Sequence, residues 1–305
     1  MAADLLLELE PVVAVNLDRH LAVAKNWMPH EYVPWSQGRD FTQPWMREQS
    51  HLSNEAQAAL ELNLLTEDNL PGYHFTIANR FGLDGAWGTW VNRWTAEEER
   101  HSQCIRDYLL VTRGIDPVRL EQGRMLAVQV GYDGSRSSTP LEALVYVAFQ
   151  ELATRVAHRN AGRYTGDPIA DRLLARVAAD ENLHMIFYRA LVSASLEIEP
   201  GATVQAIYAK LANFGMPGRV IPGYAKKSLL IARAGIFNLR IFHDDVVMPL
   251  IRHWNIFGMT GLEGGEETAR EQLATFLASL DRAASNQEER ILAAVERARL
   301  RCADT

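Results

Sequence analysis

The feature that most constrains this chain is a pattern it repeats. Glu67 stands 31 residues before a Glu-x-x-His tetrad, Glu98/His101, and Glu151 stands 30 residues before another, Glu181/His184. On an α-helix, positions i and i+3 project from one face, so each tetrad can aim a carboxylate and an imidazole at a common point. The chain therefore reads twice as a glutamate on one helix, a turn, and Glu-x-x-His on the next. A longer connection over 114–140 separates the halves. A lone tetrad carries little weight, because a chain of this composition yields about one by chance. The third, Glu48/His51, lies among Arg47, Gln49, Ser50, Ser53 and Asn54 and reads as a solvated segment entering a helix.

Helix-period spacing of apolar residues dominates, and strand signals are scarce. Helices are predicted over roughly 4–26, 53–82, 86–113, 117–130, 139–165 and 168–195. A shorter helix is expected over 201–213 and two long ones over 225–254 and 266–300. A Pro- and Trp-rich connection covers 27–45, and 131–140 is the clearest loop. Pro140, Pro168 and Pro200 fall where helix starts or breaks are expected, since proline is tolerated in a first turn. No compositional break demands a second unit. The economical architecture is all-α, one domain over 1–305, with a four-helix bundle over about 53–195 and additional peripheral helices over 201–300.

An apolar fraction of 48% and a charged fraction of 23% suit a water-soluble chain with a substantial core. The net charge of −7 argues against a nucleic-acid partner, which would call for a basic surplus to neutralise phosphates. No segment approaches about 18 apolar residues, so no membrane span is expected. Residues 1–10 lack the basic start and small-residue cleavage site of a secretory leader. Cys104 and Cys302 form no CxxC pair and fit a reducing, cytoplasmic setting.

Four carboxylates and two imidazoles offset much of the charge of two divalent ions and form a hard donor set that suits iron or manganese. One Glu from each of two helices, with Glu-x-x-His from two more, is the ligand layout of ferritin-like di-iron carboxylate proteins. Glu67, Glu98, His101, Glu151, Glu181 and His184 are thus the expected ligands of two Fe ions that activate O2. Asp180, directly before Glu181, is placed to orient a ligating histidine, or is a plain surface aspartate. Thr154, one turn after Glu151, either offers its hydroxyl to the oxygen pocket or bonds back to its own helix. His74, two turns after Glu67, reads as a satisfied core histidine and not a seventh ligand.

The residues around these ligands resemble soluble acyl-[acyl-carrier-protein] desaturases of the stearoyl type. Trp94-Thr95-Ala96-Glu97-Glu98-Glu99-Arg100-His101 resembles that family's first iron motif, and Ala179-Asp180-Glu181-Asn182-Leu183-His184 its second. Thr66-Glu67-Asp68-Asn69-Leu70-Pro71-Gly72-Tyr73 and Phe149-Gln150-Glu151-Leu152-Ala153-Thr154 are similar to the stretches that carry its two isolated glutamates. Asn26-Trp27-Met28-Pro29, and Trp254 followed by Met259-Thr260-Gly261-Leu262, extend the likeness over nearly the whole chain. The segment over 216–223 resembles actinobacterial members more than plant ones. The resemblance implies a ferritin-like homodimer that introduces a cis double bond into a saturated acyl chain held on acyl carrier protein, with O2 as oxidant and electrons from ferredoxin. It further implies a role in oxygen activation for Thr154, and an electron route through Trp27, His101 and Asp180.

The sequence also departs from the plant pattern. Asn182 and Leu183 replace two basic residues of the second motif, near where the carrier docks. Docking would then rest on other cations, and Lys210, Arg219, Lys226, Lys227, Arg233, Arg240 and Arg252 outnumber Asp244 and Asp245 in one stretch. Thr76, Asn79 and Arg80 stand where plant enzymes place mostly apolar residues near the acyl channel. An unpaired Arg is a poor lining for an apolar tunnel, so either Arg80 points outward or the pocket is reshaped. Two other outcomes share the scaffold: an oxygenase or N-oxygenase, and a ferritin-like metal-binding protein without organic substrate. The ribonucleotide reductase small subunit is a further relative that the first motif fits poorly.

Overall fold

The computed structural model describes residues 2–39, 42–131, 139–216, 221 and 223–303. The described residues form helices joined by turns, with no strand among them. Helix α1 (Ala2–Val23) buries Leu5, Leu9, Val13 and Leu17, a stripe at four-residue spacing that lies against the helices described below as α4 and α7. The connection that follows contains short 3-10 turns, one of which, Arg47–Gln49, carries Glu48.

The bundle helices start where local chemistry supplies the missing partners of a first turn. Ser53 caps α2 (Asn54–Glu67) by accepting from the Ala56 N–H. Thr139 and Glu142 form a reciprocal capping box at α6 (Pro140–Thr165), and Asp167 caps α7 (Pro168–Ile198) by accepting from Ile169 N–H. Gly166, at φ 68°, closes α6 in the left-handed region, leaving a two-residue turn that folds α6 and α7 into an antiparallel hairpin. Gly162 keeps that hairpin tight, since a Cβ there would meet Leu174 Cβ at 3.1 Å and Asp171 Cα at 3.3 Å.

Two expected helices are interrupted. The one predicted over 53–82 divides into α2 and α3 (Leu70–Phe81). Pro71 lies in the first turn of α3, and Asn69 Nδ2 donates to the Leu65 carbonyl left open at the end of α2. Glu67 thereby becomes the last residue of α2. After α4 (Gly85–Val111), α5 (Pro117–Val130) and α8 (Pro200–Ala212), the helix predicted over 225–254 is also broken. It becomes α9 (Tyr224–Arg233), α10 (Leu239–Ile241), a π-helical turn (Phe242–Val247) and α11 (Met248–His253). Gly235 turns the chain at φ 70°, and Asn238 caps the restart. Pro249, the second residue of α11, has no N–H to offer the turn before it. The last helix, α12 (Gly265–Ala303), packs on α8. The expected loop over 131–140 lies mostly outside the described residues, as do Arg219 and most of the segment over 216–223.

Four of these helices, α2, α4, α6 and α7, surround the centre. Their apolar core falls into two clusters. On α4 one cluster ends at Trp94 and the other starts at Cys104; on α6 the boundary runs from Ala153 to Ala161, and on α7 from Val177 to Met185. Between these limits lie buried polar residues, among them Glu97, Glu98, His101, Thr154, His158, Asp180, Glu181 and His184. A slab of ionisable groups thus crosses the bundle between two greasy halves, where burial without partners costs several kcal/mol per charge.

Candidate metal centre

The slab brings the six residues of the repeated pattern together from all four helices. His101, His184 and Glu151 are fully buried, and Glu181, Glu67 and Glu98 are 1%, 5% and 6% exposed. Their ligand atoms form two quartets, each within 4.8 Å: Glu67, Glu98, His101 and Glu181, and Glu98, Glu151, Glu181 and His184. Glu98 and Glu181 belong to both, so the arrangement is that of two adjacent sites sharing two carboxylates. Both imidazoles turn Nδ1 inward. His101 Nδ1 lies 3.3 Å from Glu98 Oε2 and 3.5 Å from Glu181 Oε1, and His184 Nδ1 lies 2.8 Å from Glu98 Oε1.

The donor atoms are under-satisfied in the way a metal would correct. Glu98 Oε1, Glu151 Oε2, Glu181 Oε2 and Nδ1 of both histidines are buried with no hydrogen-bond partner, and all belong to the quartets. Burial pushes all four carboxyls up, and their neighbours then separate them. The facing imidazoles of His101 and His184 hold Glu181 well below the ordinary carboxylate range, and His101 and His158 bring Glu67 below it. Glu151 and Glu98, which face the charge of Glu181, stay above it. Burial alone would lower the imidazoles. The charge of Glu98 on His101, and the facing carboxylates of Glu151 and Glu181 on His184, raise both instead. A buried oxygen-rich set with two imidazoles fits two divalent transition-metal ions.

An outer layer fixes these side chains. His184 Nε2 donates to Glu97 Oε2 at 3.0 Å, and the same oxygen receives His20 Nε2 from α1 at 2.8 Å. Arg93 completes the Glu97 environment at 2.5 Å. On the other side, Trp27 Nε1 donates to Asp180 Oδ2 at 2.6 Å, with Arg100 at 3.2 Å and Arg176 on the other oxygen. His101 Nε2 lies 3.6 Å from that Oδ2, too long for a hydrogen bond, and the Trp27 and His101 rings are stacked 6.4 Å apart. Asn63 Nδ2 donates to His158 Nδ1, leaving Nε2–H of His158 to donate to Glu67 Oε1 at 2.8 Å. Trp94 Nε1 donates to Glu151 Oε1 at 3.1 Å.

Sequence reasoning did not single out Glu97, His20, His158 or Trp94. A signal existed for Glu97 alone: it precedes Glu98 as Asp180 precedes Glu181. The Thr154 hydroxyl lies 3.1 Å from the carbonyls of Gln150 and Glu151, bonding back to its own helix. His74 Nδ1 bonds Thr95 Oγ1 at 2.8 Å and takes no part in either quartet. His51 bonds Tyr108 and Asp167, away from the centre. Thr76 and Asn79 bond back to α3, and Arg80 is partly exposed. Of the cationic stretch, Lys210, Lys227 and Arg240 are held by carboxylates, whereas Lys226, Arg233 and Arg252 are exposed. No described helix is long and apolar enough to cross a membrane.

A family model described as fatty acid desaturase matches residues 1–302. The Mycobacterium tuberculosis protein DesA1, described as an acyl-[acyl-carrier-protein] desaturase, is 45% identical over 93% of this chain and 88% of its own length. An Arabidopsis thaliana chloroplastic stearoyl-[acyl-carrier-protein] 9-desaturase is 27% identical over 87% of this chain and 72% of its own. The crystal structure of the M. tuberculosis acyl-ACP desaturase DesA2 superposes with a TM-score of 0.73 at 33% identity, covering 90% of this chain and 99% of that one. The fold is therefore ferritin-like.

Proposed function

This chain belongs to the fatty acid desaturase family, in its acyl-[acyl-carrier-protein] branch, and from that premise we propose that it is a di-iron, O2-dependent acyl-[acyl-carrier-protein] desaturase. The observation that carries the reading is the pair of quartets sharing Glu98 and Glu181, with their unpartnered inward-facing donor atoms. Glu67 and His101 would hold one ion, Glu151 and His184 the other, and Glu98 and Glu181 both. Bound iron would supply the reduction of O2 that drives removal of two hydrogens from adjacent methylenes, with two further electrons and protons completing two waters.

The protein's own part is holding and orienting. Glu97 fixes the His184 tautomer by accepting from Nε2, which leaves Nδ1 free to ligate. His158 anchors Glu67 in the same manner. Trp27, Asp180 and His101 form the inward route for electrons from a ferredoxin, a reading supported by the 2.6 Å bond and the stacked rings. Thr154 lies one turn beyond Glu151 in the polar slab, where a rotation away from its own carbonyls would free its hydroxyl to donate a hydrogen bond during oxygen activation. Lys226, Arg233 and Arg252 remain for an acidic carrier, and the working form is a homodimer.

Metal content per chain after anaerobic iron loading, followed by a single turnover with O2 and a panel of acyl-carrier substrates, tests this. Two irons and a product lighter by two hydrogens are expected. A product heavier by one oxygen would make the protein an oxygenase, and a chain that binds no iron pair would remove the basis of the reading.

A further inference from the structure

A cavity of about 410 Å3 opens between the end of α2, the start of α3, α4 and α5. Glu67 is the one residue of the two quartets that lines it. The cavity wall is charged: Asp68, Glu99 and Asp107 join Glu67 against Arg106 and Arg124. Both guanidinium groups are already neutralised. Arg124 grips Asp68 at 2.6 and 2.9 Å and reaches Glu121, and Arg106 bonds Glu121 at 2.8 Å and Asp107 at 3.3 Å. Two carboxylates of this wall pair with no arginine or lysine, Glu99 at the exposed mouth and Glu67 at the buried base. Behind Glu67, 3.8 Å from its Oε2, stands the fully buried and unpartnered His101 Nδ1.

A hydrated divalent cation needs such a path, because a greasy wall cannot replace its water while a line of carboxylates can. Along the helices the slab is bounded on both sides by the two apolar clusters. We infer that this cavity is the port through which divalent metal ions enter, passing from Glu99 to Glu67 and from there to His101. The inference rests on the metal-centre reading above. His158 holds Oε1 of Glu67 and leaves the other oxygen to receive the incoming ion.

The test follows Co2+ uptake by the metal-free protein, using the visible absorption of bound cobalt in stopped flow. Reversing one charge at the mouth, Glu99→Lys, should slow uptake roughly fivefold at low ionic strength, with the effect fading in 0.5 M salt. Adding a carboxylate to the wall, Val128→Glu, should accelerate it. Glu8→Lys, on the exposed face of α1, makes the same change in net charge and serves as the control. Both slowed and accelerated variants should end at two Co2+ per chain. Equal rates for E99K and E8K would overturn the port while leaving the metal centre intact. An E99K endpoint below two ions would place Glu99 in the site itself and overturn the port equally. A parent chain that takes up no cobalt would overturn the centre and the port together.

Discussion

Glu97 on α4 and His184 on α7 face each other across the bundle, Oε2 to Nε2 at 3.0 Å, and both are at most 2% exposed. The mirror pair, Asp180 on α7 and His101 on α4, is looser at 3.6 Å. The acidic residue before each motif glutamate thus faces the histidine of the other motif, and only Glu97 bonds it. Glu97→Gln keeps the acceptor oxygen and removes its charge. Weakening of one of the two metal ions by about tenfold is expected, in line with losses of outer partners at other metal sites. A titration with Co2+ in which both equivalents keep their affinity would reject this role.

Trp27→Phe removes the 2.6 Å donor to Asp180 while preserving much of the packing against Tyr32 and His101. Loss of a buried bond to a charged group should lower stability by about 1.5–3 kcal/mol. If Trp27 also carries electrons, reduction of the iron-loaded variant by a protein donor slows while its iron content stays at two. Unchanged reduction kinetics would leave Trp27 a structural residue.

Asp167 supplies a pH-dependent tie between elements. Its side chain accepts from Tyr108 Oη at 2.6 Å, from the Ile169 N–H at 2.8 Å, and pairs with His51 at 3.1 Å. Burial alone would raise its pKa, but these bonds hold it below the ordinary value. A depressed carboxylate stabilises the fold above its unfolded pKa of about 3.9, and that contribution disappears as pH falls through the lower folded value. Asp167→Asn keeps the helix cap but not the charge. The melting-temperature gap between parent and variant should therefore be present at pH 6 and close in strong acid. A gap as wide at pH 2 as at pH 6 would contradict the assignment.

Metal removal leaves the carboxylates and imidazoles of the slab to satisfy one another alone. At free metal a hundredfold above Kd, linkage adds about 2.7 kcal/mol to the folded state. Chelation should lower the melting temperature by roughly 5–10 °C, given about 2–4 °C per kcal/mol in domains of this size class. Calorimetry with and without chelator measures it, and coincident transitions would argue against a tightly held metal.

Gly162 faces Leu174 and the Asp171 backbone across the α6–α7 hairpin. Gly162→Val should cost about 1–3 kcal/mol by overpacking, read as a shift in denaturant midpoint. A neutral variant would show that the hairpin yields more easily than its spacing suggests.

What the sequence determined was local. Glu-x-x-His fixes a shared face because helical geometry does, and Thr139, Asp167 and Pro168 mark helix starts because the first turn needs their particular chemistry. The repeat of Glu67 with Glu98/His101 and of Glu151 with Glu181/His184 pointed to six side chains that the fold does gather. The breaks inside 53–82 and 225–254 were written in Pro71, Gly235 and Pro249, yet apolar periodicity ran through them and masked the signal. The tertiary structure alone decided the outer layer. His20 reaches Glu97 across 77 residues of sequence, His158 reaches Glu67 across 91, and Trp94 reaches Glu151 across 57. No spacing along one helix encodes such pairs, because each depends on how two helices cross and which rotamers the buried slab leaves room for.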